Sequence, residues 1–161
     1  MSFAFRLPNF LFLLPVLLLC AASPSAAEQG SVPYWASLRV AKVNMRAGPS
    51  EDYRISWVYR RQNLPLKVVR LKEGWRLVED PGGARGWMLS QFLTRQRGAI
   101  VVGQGLADMR EAGNPGARLL WRLEPGVVGK LGDCTGGWCW FDTNGRTGFV
   151  PQGRLWGAGE P

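Results

Sequence analysis

The sequence predicts an all-β protein of two small barrels in tandem, and three observations carry that prediction. Twenty-one glycines and eleven prolines in 161 residues leave little room for long helices, so turns dominate. Apolar residues recur with period two over short runs, the mark of strands with one buried face. Four landmarks then occur twice in the same order. Val43-Asn44-Met45-Arg46 is answered by Ala107-Asp108-Met109-Arg110, and Leu64-Pro65-Leu66-Lys67-Val68-Val69 by Glu124-Pro125-Gly126-Val127-Val128-Gly129. Gly74-Trp75 is answered by Gly137-Trp138, and Arg85-Gly86-Trp87-Met88 by Thr147-Gly148-Phe149-Val150. Met45 to Trp87 spans 42 positions and Met109 to Phe149 spans 40, so the copies are nearly equal in length. The chain divides into residues 1–27, a linker at 28–36, a first module at 37–97 and a second at 98–161.

Residues 1–27 read as a secretory signal peptide. Arg6 precedes an apolar run from Phe10 to Leu19, broken only by Pro15, and Ser25-Ala26-Ala27 supplies small residues before a cut. A run of about ten residues falls short of the ~20 that span a bilayer, so no transmembrane helix is expected to be retained. Leu19, which is not small, argues against acylation at Cys20. The expected destination is the periplasm or cell surface. Cleavage after Ala27 leaves 134 residues and two cysteines, Cys134 and Cys139.

In the first module, Ala41, Val43 and Met45 alternate with Lys42, Asn44 and Arg46 as a strand that ends at Gly48-Pro49-Ser50. Leu66–Val69 and Trp75–Val78 are further short strands, with Asp80-Pro81-Gly82-Gly83 as a turn after them. Asn144-Gly145 in the second module is a type I′ hairpin signal, because both central residues must accept positive φ. Ser90-Gln91-Phe92-Leu93 is long enough for one helical turn only. Short strands at this spacing form a small barrel.

VNMRAGPS at 43–50, the apolar strand after Leu64-Pro65, GWRLV at 74–78 and RGWMLSQFL at 85–93 together resemble the bacterial Src-homology-3-like (SH3-like) domain. ADMREAG at 107–113, GWCWF at 137–141 and TGFV at 147–150 are a looser second match. The resemblance implies tandem SH3-like, five-stranded and partly open β-barrels, exported, that bind cell-wall peptides or assist envelope enzymes rather than catalyse. The second copy departs from the pattern: Arg110–Asn114 reads as a lengthened first turn, and Phe149 stands where the first copy has Trp87.

Composition excludes several chemistries. With no histidine there is no Ser-His-Asp or Cys-His nucleophile and no histidine metal site. Cys134 and Cys139 have four residues between them rather than two, unlike a redox Cys-x-x-Cys, and zinc lacks further ligands. An even cysteine pair in an exported chain predicts a structural disulfide. The spacing of Pro65 to Trp75 and of Pro125 to Trp138, ten against thirteen, places the second copy's extra residues in that hairpin. Gly103-Gln104-Gly105 lacks the spacing and lysine of a phosphate loop. The twelve acids lie scattered through turns with no sign of a catalytic pair. No cofactor and no metal are expected.

Charge is uneven. Residues 39–97 hold thirteen bases and five acids, whereas residues 98–161 hold six of each. The excess is either the ordinary charge of solvated strand faces or a surface drawn to anions, such as wall polymers, lipid headgroups or an acidic partner. Nucleic acid fits the charge but not the compartment. Most large rings in so small a barrel fill its core. Tyr53, Trp57 and Tyr59 stand apart, following the first turn with Trp57 and Tyr59 at i and i+2 beside Arg60 and Arg61. Arg46, Tyr53, Trp57 and Tyr59 are therefore the expected ligand surface, for a cell-wall peptide or glycan or for an envelope protein. An adaptor docking on an envelope enzyme is the alternative role.

Overall fold

The computed structural model describes Met1, Ser2 and residues 31–161, so the signal segment and Cys20 lie outside the described residues. The first module comprises β1 (Tyr34–Leu38), β2 (Val43–Arg46), β3 (Ile55–Tyr59), β4 (Pro65–Lys72), β5 (Trp75–Glu79), β6 (Arg85–Leu89), a 3₁₀ turn at Ser90–Phe92 and β7 (Leu93–Thr94). The second comprises β8 (Gly98–Val101), β9 (Ala107–Arg110), β10 (Leu119–Leu123), β11 (Val128–Thr135), β12 (Trp138–Thr143), β13 (Arg146–Pro151), a 3₁₀ turn at Gln152–Arg154 and β14 (Leu155–Trp156). Each module is one antiparallel sheet, ordered β3-β2-β6-β5-β4-β1-β7 in the first and β10-β9-β13-β12-β11-β8-β14 in the second. The two orders are the same once the second set is renumbered, which is the repeat seen as topology. Each sheet has seven strand segments rather than five, and its end strands, β3 and β7 or β10 and β14, leave the barrel partly open.

Alternation dictates the core. Val43 and Met45 of β2 are buried while Asn44 and Arg46 are only partly so, and β9 repeats this with Ala107 and Met109. Ala41 is exposed and lies before β2, so the predicted strand begins two residues later. At the other boundary, Tyr34, Trp35 and Ala36 pair with Val68, Lys67 and Leu66, so the last three residues of the predicted linker belong to the first sheet. Glycine is required where β6 and β13 cross the methionines. A Cβ at Gly86 would lie 2.5 Å from Met45 Cγ, and one at Gly148 would lie 2.6 Å from Met109 Cγ.

Register corrects two expectations about the repeat. Residues 47–54 and 111–118 both join their strands with eight residues, so the second copy's first turn is not lengthened. Val68 pairs with Val78 and Leu131 with Phe141, and both hairpins close with two-residue turns, so no extra residues sit there. Pro65 lies in β4 whereas Pro125 lies in the preceding loop, which is one residue shorter than its counterpart. The two prolines are not equivalent, and their spacing misled the alignment.

In true register, Leu66 and Val78 of the first core correspond to Gly129 and Phe141 of the second. A Cβ at Gly129 would meet the Asp142 carbonyl oxygen at 2.3 Å and Phe141 Cζ at 2.8 Å, so the large ring on β12 faces a position with no room for the side chain that Leu66 carries in the first module. Volume is held by moving it across one strand pair.

The modules also pack on each other. Trp35 meets Trp156 edge-on, with ring centroids 4.7 Å apart, and its Nε1 donates to Gly159 O at 3.0 Å. Arg97 donates to the carbonyls of Gly157 and Gly159. Burial lowers the pKa of Arg97, and Glu160 acts in the opposite sense. Gly98 is held against the Asn63 carbonyl with no room for a side chain.

Candidate functional site

The expected ligand surface of the first module is built on β2, β3 and the loop between them. Arg46 leaves β2 half-buried and turns its guanidinium into that loop, where Nη1 donates to the carbonyls of Glu51 and Tyr53, each at 2.8 Å. Gly48 lies beneath Tyr53 so closely that a Cβ there would be 2.5 Å from the ring. Arg46 is thus committed to the loop backbone and sets the position of Tyr53. The second module repeats the device: Arg110 Nη1 donates to Ala117 O at 2.8 Å, and its Nη2 pairs with Asp108 at 2.6 Å. Across that loop Arg118 Nη2 pairs with Glu111 Oε1 at 2.9 Å and holds the glutamate's carboxyl below its ordinary pKa.

β3 ends its sheet and carries an exposed apolar face. Trp57 is 60% exposed and Ile55 46%, with Tyr53 at 50% just before the strand, while Val58, in register with Asn44, lies on the opposite face. Large apolar side chains exposed close together along one strand edge are of the kind that marks contact sites. β10 carries the counterpart, with Leu119 at 38% and Trp121 at 45%, and Arg146 stacks over the Trp121 ring at 4.6 Å from its centroid.

Tyr59 does not join this face. It is 7% exposed and packs in the first core, with its hydroxyl donating to Asp80 Oδ2 at 2.7 Å. Burial foremost, then the hydrogen bond and the charge of Asp80, raise its phenol well above the ordinary tyrosine value. The i, i+2 spacing from Trp57 did place the rings near each other, 6.4 Å between centroids. The sheet, however, curls over Tyr59 and leaves Trp57 outside. Tyr53 and Trp57 are both exposed, Arg46 fixes the loop that carries Tyr53, and Tyr59 is a core residue. Ile55, Leu119 and Trp121 escaped the sequence reading. The repeat itself held the signal, because Trp57 stands twelve residues beyond Met45 and Trp121 twelve beyond Met109.

Cys134 and Cys139 face each other across β11 and β12 with Cα atoms 4.0 Å apart and form a disulfide. The corresponding pair of the first module is Leu71 and Arg76. The bridge therefore replaces an ordinary cross-strand contact without altering the register.

The bacterial SH3 domain family matches the chain twice, over residues 39–93 and 104–157. The chain belongs to that family, as two tandem copies of an SH3-like fold. Among solved structures it is similar to NlpC1 from Trichomonas vaginalis at 13% identity and a TM-score of 0.36, over 81% of this chain and 48% of that one. NlpC2 from the same organism gives 12% identity and 0.35, over 78% and 48%. An NlpC/P60 family protein from Bacillus cereus gives 13% identity and 0.34, over 78% and 57%. The chain spans about half the length of these structures. No curated protein matches it.

Proposed function

We propose that the chain is a non-catalytic, exported binding protein of the bacterial cell envelope whose SH3-like modules recognise peptidoglycan or its peptide stems. The observation that carries this reading is the apolar face of Tyr53, Ile55 and Trp57 at the open end of the first sheet, on a module with a large excess of positive charge. Rigid rings offer stacking area to a sugar or peptide at little entropic cost, and an unpaired strand edge offers main-chain hydrogen bonds to an extended peptide. The flanking cations draw in a wall rich in carboxylates. Among the described residues no helix is long and apolar enough to cross a membrane, and anionic headgroups remain a secondary contact for the same basic surface.

Retention of the mature chain on purified sacculi tests the reading. The wild-type chain is expected to be retained at physiological salt, and Trp57→Ala to lose most of that retention while melting as the wild type does. Absence of wild-type retention overturns the proposal. A second reading, an adaptor that docks on an envelope enzyme, is favoured by the recurrence of the apolar edge at Leu119 and Trp121, since two such faces suit a protein surface. Crosslinking in living cells separates the two by whether glycan strands or a single protein are captured.

A further inference from the structure

Between the modules lies an open cleft of about 990 Å³, walled on one side by the β3–β4 loop and on the other by the β10–β11 loop and the β12–β13 turn. Its walls carry Arg60 and Arg61 from the first module and Arg122, Lys130 and Arg146 from the second. The second module, neutral as a whole, thus turns half of its six bases into this one space. Several of these cations are already held in place. Arg61 Nη1 donates to Gly126 O at 2.6 Å, Arg146 lies on Trp121, and Arg122 Nε is 3.7 Å from Asp108. Arg60 is exposed and, among the described residues, makes no ion pair or hydrogen bond. Lys130, although in register with Asp142, makes no ion pair with it.

Five cations in one cleft repel one another, and a ligand bearing negative charge relieves that repulsion. The walls are not of one sign, however. Glu124 and Asp142 also line the cleft, and either carboxylate would oppose a dense polyphosphate while accepting an ammonium group. The volume is that of a pocket for a ligand of a few residues, not for a folded domain.

We propose that this cleft seats a short peptide bearing free carboxylates and an ammonium group, so that the charged groups of a wall peptide stem are read between the two modules. The proposal rests on the envelope-binding reading above and assigns it a second, charge-selective site apart from the Trp57 edge. Arg60 and Arg146 take the carboxylates from opposite walls, and Glu124 or Asp142 takes the ammonium.

The test titrates the mature protein with N-acetylated alanyl-γ-glutamyl-lysyl-alanine, which carries two carboxylates and one amine, by calorimetry at 150 mM salt. Saturable binding is expected. Affinity should fall at least about tenfold, which is about 1.4 kcal/mol, in the Arg60→Ala/Arg146→Ala double variant and for the peptide with both carboxylates amidated. Both arginines are exposed, and an unchanged melting temperature would show the double variant to be folded. Absence of peptide binding, an unaltered affinity in the double variant, or tighter binding of tripolyphosphate than of the peptide each overturns the proposal. If any of these occurs while sacculus retention persists and still depends on Trp57, the cleft assignment falls and the envelope-binding reading stands.

Discussion

Tyr59→Phe removes one oxygen from the first module and distinguishes a core residue from a ligand contact. The lost interaction is a 2.7 Å hydrogen bond from a phenol only 7% exposed to the Asp80 carboxylate. Hydrogen bonds to charged acceptors contribute roughly 1.5–3 kcal/mol. Asp80 Oδ1 keeps its own partners, the amides of Gly82 at 2.9 Å and Ala84 at 2.8 Å, and Asp80 is only half-buried, so water can partly replace the lost donor. The lower end of that range, about 1.5 kcal/mol, therefore applies. For a module of this size it corresponds to a fall in Tm of about 6 °C or more. The effect also depends on pH with a definite sign. The phenol's pKa is raised in the folded state above its ordinary value of 10.0, so the unfolded chain ionises first. The stabilisation is complete below pH 10 and is lost as pH rises above it. Thermal melts of the wild type and of Tyr59→Phe between pH 7 and pH 11 should show a gap that is constant at first and closes above about pH 10. Equal melting temperatures at pH 7, or a gap indifferent to pH, would refute the assignment. Loss of sacculus retention with stability intact would return Tyr59 to the ligand surface.

Other perturbations probe the remaining features. Replacing both Cys134 and Cys139 by alanine opens a six-residue loop and should cost about 2 kcal/mol in the chain-entropy account, read as a lower Tm of the second module that reductant reproduces in the wild type. Gly129→Ala would place a Cβ 2.3 Å from the Asp142 backbone carbonyl, and should destabilise by about 2 kcal/mol or more, measured as a lower urea midpoint at unchanged slope. Trp35→Ala removes the Trp156 contact and the hydrogen bond to Gly159 O, and should enlarge the radius of gyration in small-angle scattering as the modules separate.

Much of the fold was written in local pattern. The period of two at Val43 and Met45, the Asn144-Gly145 turn with φ of 54° and 81°, and the cysteine pair all depend on neighbours within a few residues, and each is found as expected. The repeat landmarks located both modules and even the single helical turn at Ser90–Phe92. What failed was whatever depended on curvature or exact alignment. Tyr59 obeys the same alternation as Trp57, and only the closing of the sheet over Asp80 decides that one ring is covered and the other is not. Pro65 and Pro125 matched as letters although one sits in a strand and the other in a loop, because backbone register is set by hydrogen-bonded partners rather than by spacing along the chain. The intermodular cleft had no sequence signature at all. Its cations come from the β3–β4 loop and from β10, β11 and β13, more than sixty residues further along the chain, and charge counts taken module by module averaged them away.

The exchange of Leu66 and Val78 for Gly129 and Phe141 has a bearing on how twin halves diverge. A phenylalanine introduced at Val78 alone would overfill the first module, and a glycine at Leu66 alone would hollow it. Only the joint change reaches the other arrangement without a weakened intermediate. Once a duplicated pair has drifted this way, neither half can donate that position singly to its sibling, and homologous recombination within the gene would have to carry the whole two-strand hairpin to yield a sound product.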